Sequence, residues 1–306
     1  MSTSLVVLDS GNALFANAGV ASDVDRKRAT FVFGVMEELG TRAMAVGQRD
    51  LSSGTAFLES LAKGKKLKLL SANLRRDGKP IFDASTIIDQ GGVKVAIVGL
   101  TAPGPVAPNE ANVAALPTVE AAKAAIAALG PHDLTVIMCA TSYADAMQLS
   151  TELKGKVDFI IQSGEFRGTQ PPQRLDDASP VLLASAQKGQ ALGKLDVALG
   201  SGKGPFTDLS ILDRDKQQAV FVGEQIKTLE ERLKLSKDKA ATEQLKGTLV
   251  EMKKRKAELE AGLAKKITPG SRSFGFTWTT LGSDVADDAK LKARVLEIDP
   301  AYSGSH

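Results

Sequence analysis

The sequence predicts an α/β fold interrupted by a long antiparallel helical hairpin. Three observations carry this. Short runs rich in Val, Ile and Leu alternate with amphipathic segments as far as residue 197, the order expected of strand-helix-strand units. From 213 to 267 the composition turns highly charged, with apolar residues recurring every three or four positions. Beyond it, Phe274-Gly275-Phe276-Thr277-Trp278-Thr279-Thr280 alternates large and small residues, the mark of a half-buried strand.

The runs at 5–8, 43–46, 67–72, 93–100, 134–138, 157–161, 181–185 and 192–197 are each predicted as strands. Helices are expected between them. Residues 31–39 show apolar spacing of a helix and stop at Gly40. The Ala-rich stretch 119–129 is opened by Pro117-Thr118 and closed by Gly130-Pro131, and 143–153 ends near Gly155. Strands joined through helices pair largely in parallel. Residues 101–117, rich in Pro and Ala, read as a long loop, which either lines a site or runs over the surface.

In the charged segment, Ala219, Val222, Ile226, Leu229 and Leu233 form one apolar seam. Leu245, Leu249, Met252, Leu259 and Leu263 form a second, interrupted by Lys256. Ser236-Lys237-Asp238 between them is a short polar turn, so the two helices are predicted to fold back as an antiparallel coiled coil. At 1.5 Å per residue each arm would reach roughly 35–40 Å. A short helix is expected at 286–298. The domain boundaries that follow are 1–212 with 268–300 for the α/β domain, 213–267 for the inserted hairpin, and 301–306 for a tail.

Composition narrows the function. The chain has 306 residues, with 39 basic against 36 acidic side chains and a net charge of +3. That balance argues for neither nucleic acid nor an anionic membrane as partner. No apolar run approaches the ~20 residues of a membrane span. Cys139 is the single cysteine, so neither an intramolecular disulfide nor a cysteine metal site is expected. The two histidines, His132 and His306, are fewer than imidazole-based two-metal sites ordinarily use.

Several blocks, in order, resemble the 5′-nucleotidase branch of the metallophosphoesterase (calcineurin-like phosphoesterase) superfamily. Asp9-Ser10-Gly11-Asn12 after the first strand is similar to that family's Asp-x-Gly-Asp, and Gly47-Gln48-Arg49-Asp50 to its Gly-Asn-His-Glu turn. Gly78-Lys79-Pro80 and the run from Gly92 to Thr101 follow its central pattern. Gln162-Ser163-Gly164-Glu165-Phe166 resembles the segment leading to Gly-Gly-His-Ser-His. The resemblance covers about 5–212 and resumes near Ser273. It implies a β-sandwich flanked by helices and, since most relatives are exported, a periplasmic or cell-surface location; the cytoplasm is the alternative. It also implies that the family's first Asp-x-His motif, and a leader, would lie before this chain.

The same resemblance implies a degenerate site. The bridging Asp of the family falls on Asn12, and the Asn and His of its turn on Gln48 and Arg49, followed by Asp50. Its next His falls near Cys139-Ala140, and its last two on Gly164 and Phe166. Arginine stays protonated and cannot ligate a metal, and the other replacements supply no anionic or imidazole set. No catalytic residue, metal or cofactor is therefore expected. Two alternatives stand beside this. Asp9, Asp50, Asp145 and Glu165 could act as relocated ligands of a metal-dependent phosphoesterase. Asn12, Gln48, Arg49, Ser163 and Arg167 could form a metal-free pocket for a nucleotide or other anion. Against that pocket, Arg49 would simply pair with Asp50 or Glu165.

Other motifs are weaker. Cys139 at a strand end reads as a small buried apolar group and His132 as a loop residue. Gly200-Ser201-Gly202-Lys203-Gly204 lacks the spacing and the Ser or Thr of a phosphate loop and reads as a turn. The resulting expectation is a non-catalytic module that binds another protein or an adjoining domain through 213–267. Whether the chain also self-associates, and whether any enzyme activity survives, is left open, with the residues leaning towards a pseudo-phosphoesterase.

Overall fold

A computed structural model describes residues 5–165, 170–175, 179–183, 190–200, 204–236, 238–266 and 271–300. The chain opens with β1 (Val7–Asp9), α1 (Asp23–Glu38) and β2 (Thr41–Ala45). A 3-10 turn (Arg49–Ser53), α2 (Thr55–Ala62) and β3 (Lys68–Leu70) complete a first parallel sheet, ordered β1-β2-β3. Helix α1 starts well before the expected position 31, because Ser22 and Asp25 form a reciprocal capping box. Its first two turns are charged, so apolar spacing alone does not mark them.

Next come β4 (Leu74–Arg76), β5 (Lys79–Pro80), β6 (Ser85–Gln90), β7 (Val93–Thr101), β8 (Gly104–Pro105), β9 (Val113–Ala115) and α3 (Thr118–Ala127). They are followed by β10 (Leu134–Ala140), α4 (Tyr143–Glu152), β11 (Phe159–Gln162) and β12 (Val181–Leu183). The second sheet is ordered β12-β11-β10-β7-β6, parallel except for the β6 edge. Every residue of β10 is buried, which accounts for its unbroken apolar run. The segment 101–117 is not a plain loop. It holds β8 and β9, which pair antiparallel with each other and, through β9, with β4 in a small four-stranded sheet.

The first two sheets face each other, β2 and β3 lying against β7. Gly99 rests on the Leu70 main chain, where an added Cβ would lie 2.4 Å from the Leu70 oxygen. One core forms under α1 and α2 around Phe33, Met44, Leu51, Leu58 and Leu74. Another joins β7, β10 and β11 to α3 and α4 through Leu100, Ile137, Leu149 and Ile160. Full burial of such a side chain contributes about 1.5–3 kcal/mol.

The remaining elements are β13 (Ala191–Ala198), β14 (Thr207–Asp208), α5 (Leu209–Leu235), α6 (Lys239–Lys266), β15 (Ser273–Thr280) and α7 (Ala289–Ile298). The chain divides into two compact units, Met1–Gly193 with Trp278–His306, and Lys194–Thr277. In the second unit α5 and α6 lie against each other, and Lys253 pairs with Glu230 across them at 2.7 Å. Ala219, Val222 and Ile226 are buried, and the α6 seam from Leu245 to Leu263 is half-buried. Lys256, the polar break in that seam, runs its side chain over Gly223, where an added Cβ would lie 3.5 Å from the Lys256 Cε. Strands β13-β15-β14 form a three-stranded sheet, with Phe274 and Phe276 of β15 buried. Helix α7 begins behind Asp288, whose carboxylate accepts the Leu291 amide at 2.8 Å.

Candidate functional site

Parallel α/β sheets gather their sites beyond the carboxyl ends of the strands. Here those ends are tied together by hydrogen bonds. Ser163, just after β11, donates its hydroxyl to the Ser10 carbonyl after β1. Thr101 at the end of β7 donates to the Val46 carbonyl at 2.7 Å. Thr101 also meets Ser71 at 2.7 Å, and its main chain is held on both sides by the Asn73 amide. Ser71, Asn73 and Thr101 are fully buried, and their bonds satisfy groups that would otherwise be costly to enclose.

The turn after β1 and the turn after β2 interlock. Gly11 and Asn12 both take positive φ, 92° and 63°, so this turn is a left-handed one that Gly and Asn tolerate best. Asp50 is fully buried, and its carboxylate accepts the amides of Asn12 at 2.7 Å, Gly47 at 2.8 Å and Leu14 at 3.0 Å. Burial pushes its pKa up, and these amides pull the other way. Asn12 Oδ1 accepts the Arg49 amide at 3.0 Å. The Arg49 guanidinium donates to the carbonyls of Asn12 at 2.7 Å and Ala16 at 3.2 Å. Its partners are thus main-chain carbonyls rather than Asp50 or Glu165.

The other expected positions fall as follows. Gln48 is exposed at the start of the 3-10 turn, and Ala140 is buried at the end of β10. Gly164 is jammed against the main chain of Thr141, so that a Cβ there would fall 1.9 Å from the Thr141 oxygen. Phe166 and Arg167 lie outside the described residues. Cys139 is fully buried, which pushes its thiol up to about 12 and leaves no nucleophilic thiolate near neutral pH. The ring of His132 bonds the Gly130 carbonyl and the Thr135 hydroxyl.

Asp9, half-buried at the end of β1, accepts the Gly11 amide at 2.8 Å. Burial, with Asp50 nearby, raises its pKa to about 6. Of the remaining carboxylates, Asp145 caps α4 with Ser142 and Glu165 accepts the Tyr143 amide at 3.1 Å. Ser10, whose residue type carries no signal for this role, joins the two sheets through its carbonyl. Among the described residues, Ser10 Oγ and Gln162 Oε1 at these strand ends are buried without a hydrogen-bond partner in the protein.

The fold family implies a pair of metal ions here, and the donors among the described residues do not fit one. Asn12 and Asp50 spend their oxygens on main-chain amides, Arg49 brings a fixed positive charge, and Ala140 and Gly164 offer no donor. Among the described residues no three His, Cys, Asp or Glu side chains come together as a metal site.

No protein-family model and no curated protein matches the sequence. Solved structures do match. A 5′-nucleotidase precursor from Thermus thermophilus superposes with a TM-score of 0.52 at 23% identity, over 65% of this chain and 43% of that one. The sulfate thiohydrolase SoxB of Thermus thermophilus superposes with a TM-score of 0.52 at 22% identity, over 65% of this chain and 36% of SoxB. The calcineurin-like phosphoesterase YfkN of Bacillus subtilis gives a TM-score of 0.57 at 14% identity, over 95% of this chain and 81% of that one. This chain therefore spans less than half the length of the two Thermus proteins. Together these likenesses show the fold: the chain has a metallophosphoesterase fold, and its form is 5′-nucleotidase-like.

Proposed function

We propose that this chain is a non-catalytic 5′-nucleotidase-like module that acts in protein interaction or assembly. In this reading an α/β domain of residues 1–212 and 268–300 carries an inserted coiled-coil hairpin, 213–267, as the partner surface. One observation supports the reading above the rest. The polar groups at the strand ends are turned on their own main chain, Asp50 on amides and Arg49 on carbonyls. A hydrolytic site needs such groups aimed at a metal, water or substrate.

A metal-dependent phosphoesterase with relocated ligands is the alternative, and a metal-free binder of a nucleotide or anion is the third reading. Asp9, Asp145 and Glu165 each already accept local hydrogen bonds, which weighs against the first of these. Two Arg49 nitrogens held by carbonyls weigh against the second. The location we infer, periplasm or cell surface, rests on likeness of fold. No helix among the described residues is long and apolar enough to cross a membrane.

Metal analysis of the purified protein, paired with a phosphate-ester screen, tests the reading. The expected outcome is no stoichiometric Mn, Fe or Zn and no turnover. Stoichiometric metal with turnover abolished in Asp9→Asn would overturn it. For the hairpin, deletion of residues 215–265 is expected to leave the α/β core folded and to abolish assembly. Unchanged assembly would remove the interaction role.

A further inference from the structure

Helix α1 carries two apolar stripes. Ala29, Phe33 and Met36 face the core. Val24, Phe31, Val35 and Leu39 recur at spacings of seven, four and four, which sets them on one line along a different side. None of these four is buried: Phe31 and Val35 are half-covered, while Val24 and Leu39 at the two ends are 51% and 68% exposed.

Helix α7 lies on this second side. Arg294 stands over the Phe31 ring at 5.2 Å and grips Glu38 with both terminal nitrogens, at 2.7 and 2.9 Å. Arg28, four residues from Val24 on the same stripe, reaches Asp299 at 2.8 Å, just beyond the end of α7. No residue of α7 is buried. Leu291, Val295 and Ile298, spaced four and three apart, are only half-covered, so α7 draws less from the hydrophobic effect than a helix of the core. What adds to that partial cover is a set of exposed ion pairs, which salt screens and which bind weakly. The core beneath does not share this weakness, since β7 and β10 are almost wholly buried.

We infer that α7 is a charge-held clasp over the second apolar stripe of α1, able to come away while the α/β core stays folded. Its release lays open Phe31 and Val35 and joins them to the exposed Val24 and Leu39 as one continuous apolar line. Elements stabilised by few buried contacts open locally at free energies below global unfolding.

Hydrogen exchange on the full chain tests this, at low and high salt, for the wild type, Arg294→Glu, Glu38→Arg and the double exchange. Amides of α7 are expected to be protected at low salt in the wild type. They should exchange several-fold faster in high salt and in either single variant. The double variant should restore protection at low salt, and β7 and β10 should stay protected throughout. Asp299→Asn, which removes the second pair alone, should speed α7 without touching β10. The inference is overturned by α7 amides that are unprotected in the wild type at low salt. It is equally overturned by α7 amides that exchange only together with β10, or by a double exchange that fails to restore protection.

Discussion

Asp50 Oδ2 lies 2.7 Å from the Asn12 amide, thirty-eight residues away in sequence, and in doing so locks the turn after β2 onto the turn after β1. The same carboxylate holds the amides of Gly47 and Leu14. Leaving an enclosed amide without its acceptor costs about 1–3 kcal/mol. Asp50→Ala leaves three enclosed amides without that acceptor, and is expected to destabilise the fold by ~3–5 kcal/mol. Asp50→Asn keeps one oxygen and should fall between. Urea unfolding measures both, and an Asp50→Ala protein within ~1 kcal/mol of the wild type would remove this role.

Asp9 sets a pH dependence with a definite sign. Its folded pKa is raised from 3.8 to about 6, chiefly by burial. Between those values the folded state holds a proton that the unfolded state has released. Stability is therefore fully present below the unfolded value and is lost as pH rises towards about 6. The slope is at most ~1.4 kcal/mol per pH unit. Asp9→Asn keeps an oxygen for the Gly11 amide and removes the ionisation. Subtracting its stability from that of the wild type at several values of pH should give a difference that falls as pH rises across this window. A flat difference would show that Asp9 is solvated like an ordinary carboxylate.

How much of this was legible in the sequence depends on the kind of signal. The strands β7 and β10 are long, apolar runs, and burial on both faces is the physical reason they stand out. The start of α1 was readable from Ser22 and Asp25, but only by capping chemistry, because its first turns are charged. Strands β8 and β9 were not readable. They are two and three residues long, and their order comes from pairing with each other and, through β9, with β4, a partner far off in sequence. At the site, the order of the Gly47 and Gly164 turns was visible. That Arg49 would turn to the Asn12 and Ala16 carbonyls was not, because carbonyls leave no trace in residue identity.

Three glycines give a paired test of that geometry. A methyl at Gly164 would sit 1.9 Å from the Thr141 oxygen, and at Gly47 2.4 Å from Asn12 Oδ1. The first obstacle is backbone; the second is the Asn12 side chain that also holds the Arg49 amide, with the Asn12 main-chain nitrogen 2.7 Å from the same point. Gly164→Ala should cost ~3 kcal/mol or more, and Gly47→Ala somewhat less. Gly247 in α6 meets nothing within 4 Å, so Gly247→Ala should instead stabilise its helix by ~0.5–1 kcal/mol. Thermal or urea unfolding of the three variants should give two losses and one gain. A gain at Gly164 would contradict the close packing of the β11 turn against Thr141.

Glu110 shows how the 101–117 segment is held. Its carboxylate accepts the Thr55 amide at 3.1 Å and the Thr55 hydroxyl at 2.7 Å, capping the first turn of α2 from a distant part of the chain. Gly54, the residue before α2, has φ 84° and leaves room for it; a Cβ there would lie 2.8 Å from Glu110 Oε1. An acidic group at a helix start satisfies orphan amides and meets the positive end of the helix dipole. Glu110→Ala should therefore cost about 1–2 kcal/mol, in the range of a lost N-cap. Glu110→Gln, which keeps an acceptor but no charge, should lose less. The effect should also be local. Hydrogen exchange is expected to quicken in the first turn of α2 and in β9 while β10 keeps its protection, and quickening at β10 alone would place the role of Glu110 elsewhere.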